Sequence, residues 1–490
     1  MERKIQIDNW EEDYKRKVIS PENAARVIKS NDNVFIPSTF SGQVPALLVE
    51  RADELRNVTV EIQAPPDPGW FEPDMKDSFT IIPRIYLGPR AREAHDEGRV
   101  SFLPYTNNTW NKPYRDNRPG RRSVDVLLVD VSPPDENGFM TFGGAVWERR
   151  GHAAVARTII AEIDPNHIRS HGDTFIHVSQ VDHIVDQVAD GPSREDLEDL
   201  VQKIPSEYHS AAWEKFDEMR PRMLQYLIDN FEDIDPERVK ILLGVDEADE
   251  ATIAICRNVK SLMRDGDTIQ IGIGRPSMYV VEQGALDDVN DMAIFSEMGC
   301  RGMGFLVKRG IANGKYATLH PGRAVFGALT GLTREEVDWA NDNPLIEQYS
   351  VDYVVNMGNI IKQKNMLSIN NAIQIDLTGQ ITCETQFGPR IINGPGGQIE
   401  FHMGAVAAPG GRAVSLLYST WGDGAISTIA PYLEPGSQIS IPRAYADYVV
   451  TEWGVAELLG KTQRERAEAL IGIAHPDFRD ELREAAKSIP

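Results

Sequence analysis

AARVIKSNDNVFIPSTFSGQVPALLVERADELRNVTVEIQ, from Ala24 to Gln63, and AICRNVKSLMRDGDTIQIGIGRPSMYVVEQGALDDVNDMAIFSE, from Ala254 to Glu297, read in one order. Each runs helix, turn, strand, glycine-containing loop, helix, strand. Setting Val34 against Thr268 brings Gln63 opposite Glu297, each 29 positions on. Two halves built alike predict two similar open α/β domains facing each other across a cleft. Outward from these units, apolar β-branched runs mark further buried strands at Val124 to Val131, Asp352 to Asn356, Val414 to Leu417 and Tyr448 to Thr451. Helical periodicity shows at Pro21 to Ser30, Ala251 to Met263, Arg464 to Gly472 and between Trp213 and Phe231. The stretch DQVADGPSREDLEDLVQKIP is acidic and poor in large apolar residues, which predicts a boundary. The expected organisation is a first α/β domain over 1–190, an acidic helical linker over 191–236 and a second α/β domain over 237–490.

Composition narrows the function classes. The 490 residues are 41% hydrophobic and 26% charged, ordinary for a globular chain and wrong for a disordered one. No apolar run reaches the ~20 residues of a membrane span. MERKIQIDNWEEDYKRK is charged throughout and lacks the apolar core of a secretory signal, so a cytoplasmic protein is expected. A formal charge of -23 argues against nucleic acid, which needs a basic footprint, and leaves room for a small anionic ligand. Cys256, Cys300 and Cys383 have no metal-like spacing and read as free thiols. His167, His171, His177 and His183 match no ligand motif either, so no metal site is expected and they are assigned to the core or a domain interface.

The repeat exposes a difference between the halves. Where the first has neutral Gln63, the second has Glu297 in FSEMGCRGMGF, at a strand end that faces the cleft. A carboxylate there can be a nucleophile, a general base or a metal ligand, or simply a capping group. Two glycine loops could serve it: Gly272-Ile273-Gly274-Arg275-Pro276 after a strand, and Asn393-Gly394-Pro395-Gly396-Gly397-Gln398 before IEFHMGA. Backbone N–H groups in such loops hold anions and oxyanions. GIGRPS lacks the third glycine of a dinucleotide fingerprint, which disfavours a nicotinamide dehydrogenase. Glu452, at the end of YVVT, is read as structural, and Tyr279 and Phe305 as core residues that could border an acyl pocket.

The order of motifs over nearly the whole chain resembles the acetyl-CoA hydrolase/CoA-transferase family, in the branch with 4-hydroxybutyrate and butyryl-CoA:acetate CoA-transferases. The motifs are VSPPDENGFMTFG (131–143), DPNHIRSHGDTFIHVSQVDHIV (164–185), IGIGRP before SEM, and SINNAIQIDLTGQI (368–381). NGPGGQIEF (393–401) and DYVVTEWGVAELLGKTQRERAEALIGIAHPDFRDEL (447–482) complete the series. The resemblance implies an enzyme that moves coenzyme A between an acyl-CoA and a small carboxylic acid. It implies Glu297 as covalent nucleophile and Asn370 as its support. It further implies Gly272, Ile273, Gly274, Arg275 and Pro276 as coenzyme A contacts, Gly396, Gly397 and Gln398 as thioester-oxygen donors, and Arg412 as a phosphate partner. Coenzyme A is then a substrate with no permanently bound cofactor, and a homodimer is expected. Departures are Glu400 where relatives carry Asp, the Gly394-Pro395 entrance to the loop, the glycine-poor IPSTFSGQVP and Arg275 at a position usually small. A thioester hydrolase on the same scaffold and a non-catalytic coenzyme A-binding module are the alternatives. An intact Glu297 between two glycine loops counts against the second.

Overall fold

The computed structural model describes residues 3–489 except 41, 63–66, 86–87, 188–190, 220–223, 225–226, 229–230 and 232–235. Gln63, the first-half counterpart of Glu297, lies outside the described residues. Among them, one sheet is built from β1 (Asn33–Ile36), β2 (Val58–Ile62), β3 (Phe79–Pro83), β4 (Val126–Val131), β5 (Thr158–Ile163) and, later in the chain, His183–Val185. Between the last two, β6 (His171–Gly172) leaves for the other sheet, and His183–Val185 is β7. The second sheet contains β8 (Thr268–Ile271), β9 (Ala293–Cys300), β10 (Ala324–Gly331), β11 (Ile346–Gln348), β12 (Met366–Asn371), β13 (Arg412–Leu416), β14 (Tyr448–Thr451) and β15 (Gly454–Glu457).

The strand order of the first sheet is β3-β2-β1-β4-β5-β7, all parallel. The second runs β15-β14-β13-β12-β8-β9-β10-β11-β6, parallel except for the β14–β15 hairpin. Its inner run β10-β9-β8-β12-β13-β14 repeats the first sheet strand for strand. The internal repeat visible over two strands in the sequence therefore extends to six. Each sheet reverses direction once, between β1 and β4 and between β8 and β12, and such switch points open crevices at the C-terminal strand ends. Runs such as VLLVDV and TIQI are buried at every position, as parallel strands covered on both faces require. The helix Glu250–Lys260 starts where the Asp249 side chain accepts from the Thr252 N–H, and it buries Ile255, Cys256 and Val259 against the second core.

Three departures from the sequence reading have local causes. DYVVN is no strand: Val351–Val354 is a helical turn. Val351, Val354 and Val355 are all buried, and their i, i+3, i+4 spacing puts them on one helical face, a pattern that a short valine run hides. Second, β6, from the first half, pairs with β11, and Ala145 bridges Ala328, so the first 190 residues help build the second sheet's edge. Third, the segment expected as a linker carries helices Arg194–Gln202, His209–Glu218 and Pro236–Leu243 and its own apolar cluster of Leu200, Ile204, Phe216, Leu227, Val239 and Leu243. That packing continues past residue 236. The end of the Trp213 to Phe231 helix reaches residues outside the described set. No described helix is long and apolar enough to cross a membrane.

Candidate active site

The crevice between β8 and β12 opens into a cavity of about 560 Å³. It is lined by Gly272 to Arg275 after β8, Asn370 and Asn371 at the end of β12, and Gly394 to Gln398. Glu297, on the neighbouring β9, projects into it. The ladder between β9 and β10 shifts register between Met298 and Cys300, a bulge directly after Glu297 that ends regular pairing.

Glu297 is held from two sides. The Asn107 side-chain amide donates to its Oε1. The Gly397 backbone N–H donates to the same carboxylate at the N-terminus of the helix Gln398–Ala407, where the helix dipole favours negative charge. Glycine at 397 is a steric requirement: a Cβ there would stand 2.2 Å from Glu297 Oε2 and 2.9 Å from a Val355 methyl. The β8 loop meets the same constraint, since a Cβ on Gly272 would fall 2.5 Å from Asn370 Oδ1. Asn371 staples that loop, donating to the Ile273 carbonyl at 3.1 Å and accepting from the Ser277 N–H at 3.1 Å.

Three carboxyls share the neighbourhood. Burial in the cleft pushes Glu297 up to about 7; Asn107 and Gly397 pull against that, and the negative charges of Glu400 and Glu148 add to it. Burial also lifts Glu400 to about 7, opposed by the Thr106 hydroxyl that donates to its Oε1. Glu148 reaches about 7 by burial, opposed by Arg84 and by the Tyr105 hydroxyl. A carboxylate nucleophile must be ionised, so kcat/KM should rise with pH through about 7, and a variant lacking the Asn107 donor, Asn107→Leu, should move that limb to higher pH. A flat profile from about pH 5.5 to about 8.5 would remove Glu297 from the chemistry. The limb belongs to the cluster of acids, since neighbouring carboxyls titrate together.

Glu297, the two glycine loops and Asn370 thus converge on one cavity. Asn370 makes no hydrogen bond to Glu297 among the described residues: its amide pairs reciprocally with Gln270 at 2.9 and 3.0 Å and donates to Ser368 at 2.9 Å. It stiffens the cavity floor beneath the β8 loop. Arg275 donates to the Tyr279 hydroxyl at 2.7 Å and to the Glu247 carbonyl at 2.8 Å. Gln398 donates to the Asn371 carbonyl at 2.9 Å, tying the second glycine loop to β12. Arg412 is a correction. It opens β13, at the end of the sheet opposite the cavity, and is buried in an ion pair with Asp267, so it is no phosphate partner.

The weighed side chains outside the motif set fall elsewhere. Tyr279 is buried with its hydroxyl donating to Asp246, Phe305 does not line the cavity, and Glu452 accepts from the Ser419 N–H at 3.0 Å. His167 lies 3.4 Å from Asp130 and 3.2 Å from Asp164, while the His177 Nε2 sits 3.0 Å from the Asn137 carbonyl. No group of potential metal ligands occurs among the described residues. Sequence reasoning missed Asn107, Thr106 and Glu148, all from the first half. The polar run YTNNTW, between an aromatic and a tryptophan, is the one local signal that could have flagged the first two.

A carboxylate nucleophile candidate beside a bulge in a strand, backed by a helix N-terminus between two α/β domains, defines the class: an acyl-transferring α/β enzyme. Residues 1–189 match the acetyl-CoA hydrolase/transferase N-terminal domain and 333–486 the C-terminal domain of the same name. The 4-hydroxybutyrate coenzyme A transferase of Clostridium kluyveri is 34% identical over 96% of this chain and 98% of its own. Succinyl-CoA:cyclohexane-1-carboxylate CoA transferase of Geobacter metallireducens is 33% identical over 98% and 97%. Among solved structures, RipA from Yersinia pestis superposes with a TM-score of 0.77 at 26% identity, covering 98% of this chain and 99% of its own. The 4-hydroxybutyrate CoA-transferase of Porphyromonas gingivalis gives 0.68 at 26%, with the same coverage. The chain belongs to the acetyl-CoA hydrolase/transferase family, and it is an enzyme that transfers coenzyme A.

Proposed function

We propose that the protein moves coenzyme A between an acyl-CoA and a small carboxylic acid through a glutamyl-CoA thioester on Glu297. The observation that carries this is the Glu297 carboxylate, set between Asn107 and the Gly397 N–H in a cavity that both glycine loops line. A Glu297 oxygen attacks the thioester carbonyl, the C–S bond breaks, and an acyl-glutamyl anhydride and coenzyme A thiolate result. The thiolate attacks the glutamyl carbonyl and expels the first acid as its carboxylate, leaving coenzyme A on Glu297. The acceptor carboxylate runs the two steps backward, so the kinetics are ping-pong. Acid, product and nucleophile are all carboxylates, so charge balances at each step and neither a metal nor a redox cofactor is consumed. Each tetrahedral intermediate carries an oxyanion, and one well-placed donor is worth roughly 2.7–4 kcal/mol. The Gly272 and Gln398 N–H groups already donate to the Ile369 and Pro395 carbonyls and that of Gly397 holds Glu297, which leaves the N–H groups of Ile273, Gly274 and Gly396 as candidates.

The relatives named for 4-hydroxybutyrate, succinyl-CoA with cyclohexane-1-carboxylate, and butyryl-CoA with acetate support small carboxylic acids as the substrate class. An acetyl-CoA hydrolase of Kluyveromyces lactis, 23% identical over 89% of this chain, supports the second reading, in which water takes the place of the acceptor acid. Following acid-to-acid exchange and free-thiol release side by side separates the two.

Mixing enzyme with an acyl-CoA and no acceptor should accumulate a covalent enzyme–coenzyme A adduct, and borohydride followed by peptide mapping should place it on Glu297. Cys300 is the competing nucleophile next door, but burial pushes its thiol well above the thiolate range. A label on Cys300 would end the glutamyl mechanism. A cytoplasmic homodimer completes the proposal. Sedimentation at micromolar concentration should give twice the 54.7 kDa chain mass, and a monomer would refute the dimer.

A further inference from the structure

At the C-terminal end of the first sheet, Tyr105, Trp110 and Tyr114 wall a second cavity of about 620 Å³ that shares no lining residue with the cleft around Glu297. Successive residues Arg84 and Ile85 line one cavity each. Its floor already sets one cation against two carboxyls. Arg84, 2% exposed, lies 3.7 Å from Glu61 and 3.7 Å from Glu148, with its guanidinium 4.3 Å from the Tyr105 ring centre. An anion therefore gains little by reaching the floor. The mouth differs. RPGRR, 118–122, places three exposed arginines there, and only Arg118 is paired, with Asp116 at 3.5 Å. Arg121 and Arg122 have no carboxylate within 4.0 Å among the described residues, in a chain whose net charge is -23. Inside, the Trp110 side chain is 3% exposed and its buried Nε1–H has no acceptor. The Glu61 carboxylate supplies an acceptor on the same wall system.

These features specify a ligand with a flat ring, ring atoms that both accept and donate hydrogen bonds, and an anionic group at the far end. We propose that this cavity is a nucleoside-phosphate site. The base lies between the aromatic walls, within reach of the Trp110 N–H and the Glu61 carboxylate. The phosphate lies on Arg121 and Arg122, whose planar guanidinium groups suit bidentate recognition of phosphate oxygens. The site does not rest on the transfer mechanism and would stand if Glu297 proved uninvolved. Two sources offer this chemistry, a free nucleotide and the nucleotide end of coenzyme A.

Titration calorimetry of the full chain with adenosine monophosphate should show one saturable site. Arg121→Ala/Arg122→Ala, at exposed positions and with an unchanged Tm as the control for the Arg121 contact to the Arg118 carbonyl, should weaken binding about tenfold or more, and ribose 5-phosphate should bind at least about tenfold more weakly than the nucleotide. Displacement by coenzyme A but not by pantetheine assigns the cavity to the nucleotide end of coenzyme A, and retention in saturating coenzyme A assigns it to a free nucleotide. The proposal is overturned by an absence of saturable binding to about 5 mM, by ribose 5-phosphate binding equally well, or by undiminished binding in the double variant.

Discussion

Glu297→Gln should lower acid-to-acid exchange by roughly four orders of magnitude or more, the scale of losing a nucleophile, while coenzyme A still binds. The amide keeps the length of the side chain and removes the charge that attacks the thioester. Its folding stability should hold or rise above pH 7, because the native carboxyl is desolvated and crowded by Glu400 and Glu148, and the amide escapes that cost. Loss of exchange with an unchanged or higher Tm therefore separates chemistry from unfolding. Glu297→Asp keeps the charge but retracts it by one methylene, and misplacements of about 1 Å can cost ~100-fold. The shortened carboxylate also loses its reach to Asn107 and the Gly397 N–H, and the vacated space can hold a water that it orients as a base. Residual activity should therefore tilt from exchange toward free-thiol release. Wild-type exchange in the Gln variant would end the assignment of Glu297.

Gly397→Ala should be nearly as damaging, although it adds one methyl to a residue that never reacts. The new Cβ would lie 2.2 Å from Glu297 Oε2 and 2.9 and 3.0 Å from the two Val355 methyls. Val355 is fully buried and stiff at χ1, so the strain falls on the carboxylate. Displacing Glu297 by such a distance should cost kcat about 100-fold or more, with a loss of folding stability of about 1–3 kcal/mol from overpacking. Gly396→Ala is the graded comparison. Its Cβ would sit 3.9 Å from Glu297 Oε1, and the penalty there is backbone strain at a φ of 56°. Its effect on kcat should be smaller than that of the 397 variant. Equal kcat in Gly397→Ala and the wild-type enzyme, with the pH profile unmoved, would show that the second glycine loop does not set the position of the nucleophile.

The part of the site legible in the sequence is the part built from neighbours. A strand followed by glycines needs few residues to declare itself, so Gly272 to Pro276 and Glu297 are visible within one repeated unit, and Gly396 to Gln398 as a separate glycine cluster ahead of a helix. The topology followed from the same units, since fully buried strands joined by helices must lie parallel and cross over in one hand. Where a pattern was short, it misled. DYVVN reads as a strand until Val351 joins Val354 and Val355 on one helical face, and Arg412 looks like part of the glycine loops until β13 starts with it at the end of the strands away from the cavity.

By itself, then, the sequence determined two like open α/β domains, a carboxylate facing the cleft, and glycines where a backbone must come close; the strand it expected to stop before Glu297 runs on to Cys300. The tertiary structure alone decided what meets that carboxylate. Asn107 reaches Glu297 across 190 residues of chain, Glu148 comes near it from the start of a first-half helix, and Glu400 from the first turn of a second-half helix. Periodicity and turn chemistry are set within a few residues and can be read from them. Charge state and hydrogen-bond supply depend on distance and burial in three dimensions, which fall into place only when the two sheets close on each other.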